Sequence, residues 1–398
     1  MRILLINNFF RDVGGIERVF FDEREMLVTH GHTVIDFSTH HVDNHPSPYA
    51  EFFVSSVDFQ RRGNFFKKAA RFFYSREVDK KLSALIKKTQ PHVVHIHGIF
   101  DVLGPSVLWV LRRHNIKIIF TAHAYKLICP NWKLFVRGKI DEGCKKNPFH
   151  DAWNCSIQNS FIKSFGAAAA WWWHEKIGTF TLIHRIISPS QFLIDKHVEF
   201  GWPRETFVHI PNPFDAMRVV PAHGDEKFIL FVGRLVPEKG VDMMIQAAAH
   251  IPEIPFIVIG DGPDRDALMQ LAREKNVSNI SFVGKKSPRD VLEYTKNALA
   301  VVVPSVWYEN DSISVIQTQA LAKIVIASYI GGIPEQIRHG VTGFLYEAGN
   351  PDALAKTILH VCALSPEERH RLGVRARGMV DTVRAPELYY DALMAVLG

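Results

Sequence analysis

A turn in the second half of the chain places two cations where they could bind a diphosphate. Segment 233–240 begins at Gly233, contains Arg234 and Lys239, follows an apolar run and precedes a helical pattern. Such a strand-to-helix turn gathers backbone N–H groups at a helix N-terminus, which favours anions. An arginine adds a bidentate fork and a lysine adds a point charge. The alternative interpretation is a pair of solvated loop cations.

A second segment, 304–312, follows another apolar run and holds the carboxylate of Glu309 just before a helical pattern. A carboxylate beside a helix N-terminus can bind sugar hydroxyls, and unpaired N–H groups there can bind phosphate. We expect the amides of Asp311, Ser312 and Ile313 to serve that purpose. The alternative is that the side chains here merely cap the helix.

These turns must be positioned by strands and helices. Short apolar runs alternate with helical stretches, and each run is nearly continuous in apolar residues, which is typical of parallel strands buried on both faces. The repetition predicts an α/β chain with two Rossmann-like doubly wound domains facing across a cleft, with C-terminal helices. The predicted strands are 2–6, 33–37, 93–97, 116–121, 185–188, 208–210, 228–232, 256–259, 280–283, 298–303 and 324–327.

A stretch rich in proline and glycine separates the two predicted domains. We place the N-terminal domain at 1–210, a linker at 211–225 and the C-terminal domain at 226–398, with the last helix crossing back to the first domain.

The composition excludes several classes of protein. The chain has 398 residues, of which 47% are hydrophobic and 22% are charged. These values are typical of soluble globular proteins and unlike disordered, collagen-like or coiled-coil chains. No apolar run reaches the roughly 18 residues of a membrane-spanning helix, and the N-terminal run is too short for a signal peptide. We therefore expect a cytoplasmic protein.

The net charge of +6 is unevenly distributed, because segment 61–88 holds ten basic residues and two acids. Within it, 65–75 projects as a helix with phenylalanines on one arc and Lys67, Lys68 and Arg71 on the opposite arc. The phenylalanines could pack on the domain core, or the helix could lie on an anionic membrane surface. We favour peripheral attachment to the inner face of the membrane. We expect no nucleic-acid partner, because we find no recognition motif.

Three cysteines, Cys129, Cys144 and Cys155, lie in one segment with His150 between them. Their spacing lacks the paired Cys-x-x-Cys ligands of a strong zinc signal. We expect a reduced, partly buried loop and no metal, with a structural metal as the alternative.

The order of the motifs resembles that of the family 4 retaining glycosyltransferases (glycosyl transferases group 1), which have the GT-B fold. The resemblance extends over essentially the whole chain and rests on order and spacing rather than on any single motif. The matching segments are 14–17, 94–97, 121–125, 210–212, 233–240, 260–263, 282–284, 304–309, 331–335 and 340–344.

The resemblance implies roles for individual residues. Arg234 and Lys239 would bind the donor diphosphate, His123 would face the donor sugar near the reacting carbon, and Glu309 would contact the transferred sugar. The first domain would bind the acceptor and the second the nucleotide-sugar. The residues implied in nucleotide-sugar binding are Gly14, Gly15, Gly233, Val283, Asn310, Asp311, Ser312, Ile313 and Gln317.

The implied activity is that of a retaining hexosyltransferase of envelope polysaccharide biosynthesis. It would move a sugar from a nucleoside-diphosphate sugar, its co-substrate, to a glycan or lipid-linked acceptor. No further cofactor is expected. Fixed cations can stabilise a departing diphosphate without Mg²⁺, and we find no Asp-x-Asp pair at a strand end, so we predict a metal-independent reaction.

Two departures from the family pattern keep another function open. Gln317 stands where the family has the second glutamate of a pair, and Ala124 stands where it usually has an aspartate. The alternative is a catalytically impaired homologue that binds nucleotide or partner proteins. An epimerase ranks last, because that chemistry needs several carboxylates and only Glu309 is a clear candidate.

Overall fold

The computed structural model describes residues 1–56, 71–100, 102–154, 157, 160–221 and 228–398. The chain forms two compact units. Unit 1 comprises residues 1–136, 141–213 and 387–398, and unit 2 comprises 137–140 and 214–386. Most of the predicted cationic helix, including Lys67 and Lys68, lies outside the described residues, as does Cys155.

Unit 1 is built on a sheet of six parallel strands in the order β2-β1-β3-β4-β5-β6. The predicted burial on both faces is confirmed in β1, where Ile3, Leu4, Leu5 and Ile6 are fully buried. The strands are β1 Arg2–Ile6, β2 Thr33–Phe37, β3 Val93–Ile96, β4 Lys117–Thr121, β5 Arg185–Ser188 and β6 Phe207–His209.

Unit 2 repeats this architecture with six parallel strands in the order β9-β8-β7-β10-β11-β12. The register of β8 against β9 shifts between Val258 and Ile259. The strands are β7 Ile229–Val232, β8 Phe256–Ile259, β9 Ile280–Gly284, β10 Ala300–Val303, β11 Ile324–Ser328 and β12 Phe344–Tyr346. The predicted fold class, α/β with two parallel sheets, is therefore confirmed.

Helices connect the strands in both units. The described helices are α1 Gly15–Thr29, α2 Arg76–Thr89, α3 Ser106–Arg113, α4 His150–Trp153, α5 Phe161–Lys176, α6 Gln191–Glu199, α7 Val241–His250, α8 Arg265–Glu274, α9 Pro288–Asn297, α10 Ile313–Ala320, α11 Ile333–Gln336, α12 Pro351–Ala363, α13 Pro366–Val383 and α14 Pro386–Leu397. The predicted C-terminal helices are confirmed as α13 and α14. Within the described part of the chain, none of the helices has the length and apolar character needed to cross a bilayer.

The end of the chain completes the core of unit 1. Tyr389 and Leu393 of α14 are buried in the same cluster as Ile3 and Leu5 of β1. Full burial of a leucine side chain contributes about 2 kcal/mol. The last helix is therefore an integral part of unit 1 and supplies one of its buried polar groups, the hydroxyl of Tyr389.

Candidate active site

In unit 2, the turn after β7 and the loop after β10 meet at an ion pair. Lys239 Nζ lies 2.6 Å from Glu309 Oε1, and the two side chains are 29% and 7% exposed. The backbone also joins the two segments, since the Val306 amide donates to the Glu238 carbonyl at 3.0 Å. The carboxyl ends of neighbouring parallel strands lie at one edge of a sheet, which is where α/β proteins bind ligands.

Glu309 is fixed by contacts on several sides. The Ser305 hydroxyl donates to Oε1 at 2.7 Å, and the Gly332 amide donates to its backbone carbonyl at 2.7 Å. Gly331 has φ +60°, and a Cβ atom there would lie 2.3 Å from the Glu309 carbonyl oxygen, so only glycine fits. Burial alone would raise the pKa of Glu309, but the Lys239 ammonium and the hydrogen bonds from Lys239 and Ser305 bring that pKa below its ordinary value.

Arg234 stands on the same turn but is exposed, and its guanidinium has no ion-pair or hydrogen-bond partner among the described residues. Gly233 packs closely against the turn that follows β8, at Gly260. Gly260 has φ +144°, and a Cβ atom there would lie 1.8 Å from the Gly233 carbonyl oxygen. Val283, near the end of β9, is half-buried. The guanidinium of Arg234 can therefore be recruited by an anion without breaking an internal contact.

The start of α10 differs from the expectation of three amides available to a ligand. The Ser312 amide donates to Gln336 Oε1 at 2.9 Å, so it is already bonded inside the protein. The expectation of an available amide at Ser312 was wrong, because a side chain from α11 reaches it. The alternative of simple capping is wrong for Ser312 as well, because its hydroxyl makes no cap bond to the helix.

The neighbours of Ser312 hold the same helix start. Arg384 pairs with Asp311 through two bonds of 2.8 and 2.7 Å. Asn310 is buried and Ile313 is half-buried. Gln317 lies one turn further along α10, half-buried, and its side chain makes no hydrogen bond to any described residue. Its amide group is therefore available to a ligand hydroxyl.

In unit 1, His123 follows β4 and lies beside His97 from the end of β3. His123 Nε2 and His97 Nδ1 are 3.2 Å apart, and the two rings are stacked. Burial, and then the neighbouring His97 and His95 rings, lower the pKa of His123 well below its usual range. Burial also lowers the pKa of His97. Both imidazoles are therefore neutral near pH 7.

The buried carboxylate of Glu23 organises these histidines. Glu23 Oε1 lies 2.6 Å from His95 Nδ1, and Oε2 lies 3.2 Å from His97 Nε2. The Tyr389 hydroxyl donates to Oε2 at 2.7 Å. Burial alone would raise the pKa of Glu23, but the two histidines bring that pKa well below its ordinary value. The 3.2 Å contact lacks hydrogen-bond geometry, but a carboxylate can only accept, so it favours the tautomer of neutral His97 with its proton on Nε2.

This assignment determines the tautomer of His123. Since Nδ1 of His97 is then an acceptor, His123 must donate its Nε2–H to it, which leaves Nδ1 of His123 as a hydrogen-bond acceptor. Glu23, His95 and His97 lie close enough together to hold a metal. However, the Tyr389 hydroxyl and Thr121 Oγ1, which is 2.7 Å from His95 Nε2, already bond to this group.

The remaining predicted residues of unit 1 lie at the start of α1. Gly14 and Gly15 are exposed, and Gly14 precedes the first helical residue. Nearby, Glu17 is buried and accepts a bond from Asn7 Nδ2 at 3.3 Å. The structure therefore leaves the N-terminus of a 15-residue helix exposed at this turn, a position that favours an anion.

Sequence reasoning assigned no role to Glu23, Tyr389 or Ser305. A signal for Glu23 was available, since the residue lies on the apolar arc of α1 between Phe20 and Leu27, all three of them buried. A carboxylate at such a position is rarely buried unless it is paired. The pairing with His95 spans 72 residues and could not be read from local spacing.

Two family models match the chain. The model for Glycosyltransferase Family 4 matches residues 13–218, and the model for Glycosyl transferases group 1 matches residues 214–379. A segment of 138 residues is 36% identical to an uncharacterized glycosyltransferase of Methanocaldococcus jannaschii, covering 35% of this chain and 39% of that protein. A segment of 178 residues is 33% identical to the D-inositol 3-phosphate glycosyltransferase of Mycobacterium tuberculosis, covering 43% of this chain and 37% of that protein. The chain thus matches less than half of each relative's length.

Solved structures share the fold over the whole chain. The sucrose-phosphate synthase of Thermosynechococcus elongatus has a TM-score of 0.72 at 19% identity, covering 99% of each chain. The Anabaena protein HepE, crystallised with UDP and glucose, has a TM-score of 0.69 at 16% identity, covering 100% of this chain and 99% of that chain. A glycosyltransferase from Rickettsia africae has a TM-score of 0.68 at 17% identity, covering 100% of this chain and 97% of that chain.

Proposed function

The chain belongs to glycosyltransferase family 4, and on that basis we propose that it transfers a hexose from a nucleoside-diphosphate sugar to a glycan or lipid-linked acceptor, with retention of configuration. The observation that carries the proposal is the Lys239–Glu309 pair beside the exposed Arg234. Two cations and one buried carboxylate at the carboxyl edge of a parallel sheet suit a ligand with a diphosphate at one end and sugar hydroxyls at the other.

The chemistry assigned to the cations is stabilisation of the leaving group. Negative charge develops on the phosphate oxygens as the bond to the sugar breaks, and cations placed there lower the barrier more than they favour the ground state. Arg234 and Lys239 would take this role without a metal ion. The departing phosphate oxygen would accept the proton of the attacking acceptor hydroxyl on the same face, so no separate nucleophile and base are required.

His123 and Glu309 would orient the transferred sugar. A neutral imidazole with a free acceptor at Nδ1 can accept a hydrogen bond from a sugar hydroxyl, and the lowered pKa of His123 keeps the ring neutral near pH 7. The carboxylate of Glu309 can accept a hydrogen bond from another sugar hydroxyl. We further propose that Gln317 contacts the nucleotide ribose through its amide, and that the exposed Gly14 and Gly15 at the start of α1 approach the phosphates or the acceptor.

Attachment to a membrane surface, and with it a lipid-linked acceptor of envelope polysaccharide synthesis, is proposed on the exposed aromatic side chains of α5. Phe165 is 48% exposed and Trp173 46%. Lys163 and Lys176 lie on the same helix. Aromatic rings next to lysines are typical of helices that lie in a membrane interface. Replacing both Phe165 and Trp173 by serine should weaken binding to phosphatidylglycerol vesicles several-fold, whereas unchanged binding would contradict this attachment.

The proposed function is tested first by nucleotide binding. The purified chain is heated with UDP, GDP, ADP, TDP or CDP, and a ligand at a hundredfold excess over its Kd stabilises the folded protein by about 2.7 kcal/mol. We expect one nucleotide to raise Tm selectively. Release of the nucleoside diphosphate is then assayed with nucleotide-sugars that carry the same base. Arg234→Ala and Lys239→Ala should each abolish this release.

Lys275→Ala is the matched control, because Lys275 is exposed at the end of α8, just before the amino end of β9. It should keep full activity. Full activity in Lys239→Ala would overturn the assignment of the site. Binding of no nucleotide would instead favour the impaired homologue that Gln317 and Ala124 left open.

A further inference from the structure

Two cysteines and an aspartate converge in the interior of unit 1, in the segment between β4 and α5. Sulfur atoms of Cys129 and Cys144 and a carboxylate oxygen of Asp151 all lie within 4.8 Å of one another. Their residues are 0%, 4% and 1% exposed. The two cysteines are free thiols rather than a disulfide. Tetrahedral zinc holds its sulfur and oxygen ligands about 2.0–2.3 Å from the metal, which requires this degree of convergence.

The three side chains come from three short local elements. Cys129 follows a 3₁₀ turn at Tyr125–Leu127, Cys144 lies in another at Gly143–Lys145, and Asp151 lies in the single-turn helix α4. Between β4 and α5 the described chain contains only such turns and two strands of two residues each. Segments with so little regular structure are often held together by a disulfide or a metal.

Among the described residues, the carboxyl group of Asp151 has hydrogen-bond donors but no lysine or arginine beside it. Its Oδ2 accepts from the Cys129 thiol at 3.2 Å and from the Asn131 amide at 3.0 Å. No lysine or arginine of the described ranges forms an ion pair with this carboxylate. The adjacent His150 is directed to Asp141, 2.9 Å away, instead. Buried carboxylates are normally paired with a cation or coordinate a metal.

The buried carboxylate of Glu23 shows the contrasting case. It also lies among metal-ligating side chains, but the Tyr389 hydroxyl and the His95 ring bond to it from within the fold. From the described residues, the carboxylate of Asp151 accepts hydrogen bonds only from the Cys129 thiol and the Asn131 amide. Of these two groups of potential metal ligands, the cysteine cluster is therefore the better candidate for a metal site.

We propose that Cys129, Cys144 and Asp151 bind one zinc ion that holds the segment between β4 and α5 in place. Thiolates favour zinc over Mg²⁺ or Ca²⁺. The three side chains would fill three of the four positions of tetrahedral zinc, and their burial indicates a role in holding the segment rather than in catalysis. Binding converts both thiols to thiolates, so two protons pass to the solvent for each Zn²⁺ bound, with no change of oxidation state. The proposal is independent of the sugar-transfer function.

Zinc content of the full-length protein tests the proposal directly. Inductively coupled plasma mass spectrometry should find about one zinc per chain in the wild type, and very little in Cys129→Ser and Cys144→Ser. Cys362→Ser is the matched control, because Cys362 is a free, half-buried cysteine on α12 of unit 2. It should retain the zinc. Equal zinc in Cys144→Ser and the wild type would overturn the proposal.

A second measurement keeps the test valid if the serine variants do not fold. Wild-type protein stripped with a chelator is titrated with Co²⁺, and thiolate ligands should give an intense near-ultraviolet charge-transfer band that added Zn²⁺ removes. Asp151→Asn, which keeps both thiols, should weaken Zn²⁺ binding by at least about tenfold. Absence of the band, or stripped protein that takes up no Zn²⁺, would refute the site. Cys129 and Cys144 found in a disulfide with each other would refute it equally.

Discussion

Glu23 in unit 1 and Glu309 in unit 2 are both buried glutamates with lowered pKa values, and their surroundings are opposite. Glu23 is fully enclosed and contacts two imidazoles and a phenol, all of them protein groups without a permanent charge. Glu309 contacts Lys239, whose side chain is 29% exposed. Glu23 is therefore placed to orient buried side chains of unit 1, whereas Glu309 can share Lys239 with a ligand.

The difference indicates what each carboxylate group can do. Lys239 can rotate toward a phosphate, since its ammonium is partly solvated and also lies 5.8 Å from the centre of the Trp307 ring. Ser305 would continue to hold Glu309 as Lys239 moves. The rings that contact Glu23 are instead buried in the core of unit 1, on β3, just after it and on α14. The Glu23 group is thus fixed by the fold, whereas Lys239 is a cation that can change partners.

The largest effect is expected for Lys239→Met. Removing a charge that stabilises the leaving diphosphate should lower kcat on the order of 100- to 1000-fold. It also leaves Glu309 buried without its cation, so the free energy of unfolding should fall as well. Steady-state kinetics with the cognate nucleotide-sugar and chemical denaturation measure the two effects.

A double variant separates these effects. In Lys239→Met with Glu309→Gln the unpaired buried charge is gone, and we expect stability to recover while activity stays low. Recovery of activity together with stability would show that Lys239 acts only on the fold, against the role given to it here.

Glu23→Gln should mainly affect stability. Removing one partner of a buried charged network costs about 3 kcal/mol, and the amide no longer dictates which nitrogen of His97 carries the proton. Urea denaturation measures the loss, and ¹⁵N chemical shifts of the His123 ring report its tautomer. Glu25→Gln, an exposed position on the same helix, is the control and should be neutral. A variant as stable as the wild type, with an unchanged His123 tautomer, would contradict the organising role of Glu23.

The same comparison shows what the sequence could and could not predict. Continuous apolar runs predicted the parallel strands. Because Lys239 and Glu309 each follow one of those strands, they were predicted to lie at the same carboxyl edge of the sheet. The ion pair at 2.6 Å agrees with that placement. The Glu23 network and the Ser312 amide bond could not be read from spacing, because each depends on a side chain brought from another element, such as Gln336 from α11.

Acidification should weaken unit 1 through its buried histidines. Burial lowers the pKa of His197 to about 4. The unfolded value is about 6.5, so the stabilisation is complete above that pH and is lost as the pH falls toward 4. Between pH 7 and pH 5 this residue alone should remove on the order of 2 kcal/mol from the free energy of unfolding. Denaturation curves at each pH measure it.

His197→Phe provides the control for this pH dependence. The ring of His197 packs among aromatic side chains, with Phe207 5.2 Å away between ring centres, so phenylalanine can fill the same space. The variant should lose stability less steeply on acidification. An unchanged slope would show that other groups dominate the acid response.

The smallest effect is expected at Gln317, which is half-buried and makes no hydrogen bond to the described part of the chain. A carboxylate at this position would bind a ribose hydroxyl through a charge-assisted bond, stronger than an amide bond by about 1 kcal/mol. Gln317→Glu should therefore tighten binding of the preferred nucleoside diphosphate about fivefold, as measured by calorimetry.

Gln317→Ala should weaken the same binding, since it removes the amide without adding a charge. The pair of variants isolates the contribution of this one position, because neither touches Lys239 or Glu309. If glutamate and alanine bind the nucleotide equally well, position 317 does not contact the ribose. If glutamate weakens binding, the site repels a further negative charge, and the neutral glutamine is then the residue better suited to binding a diphosphate.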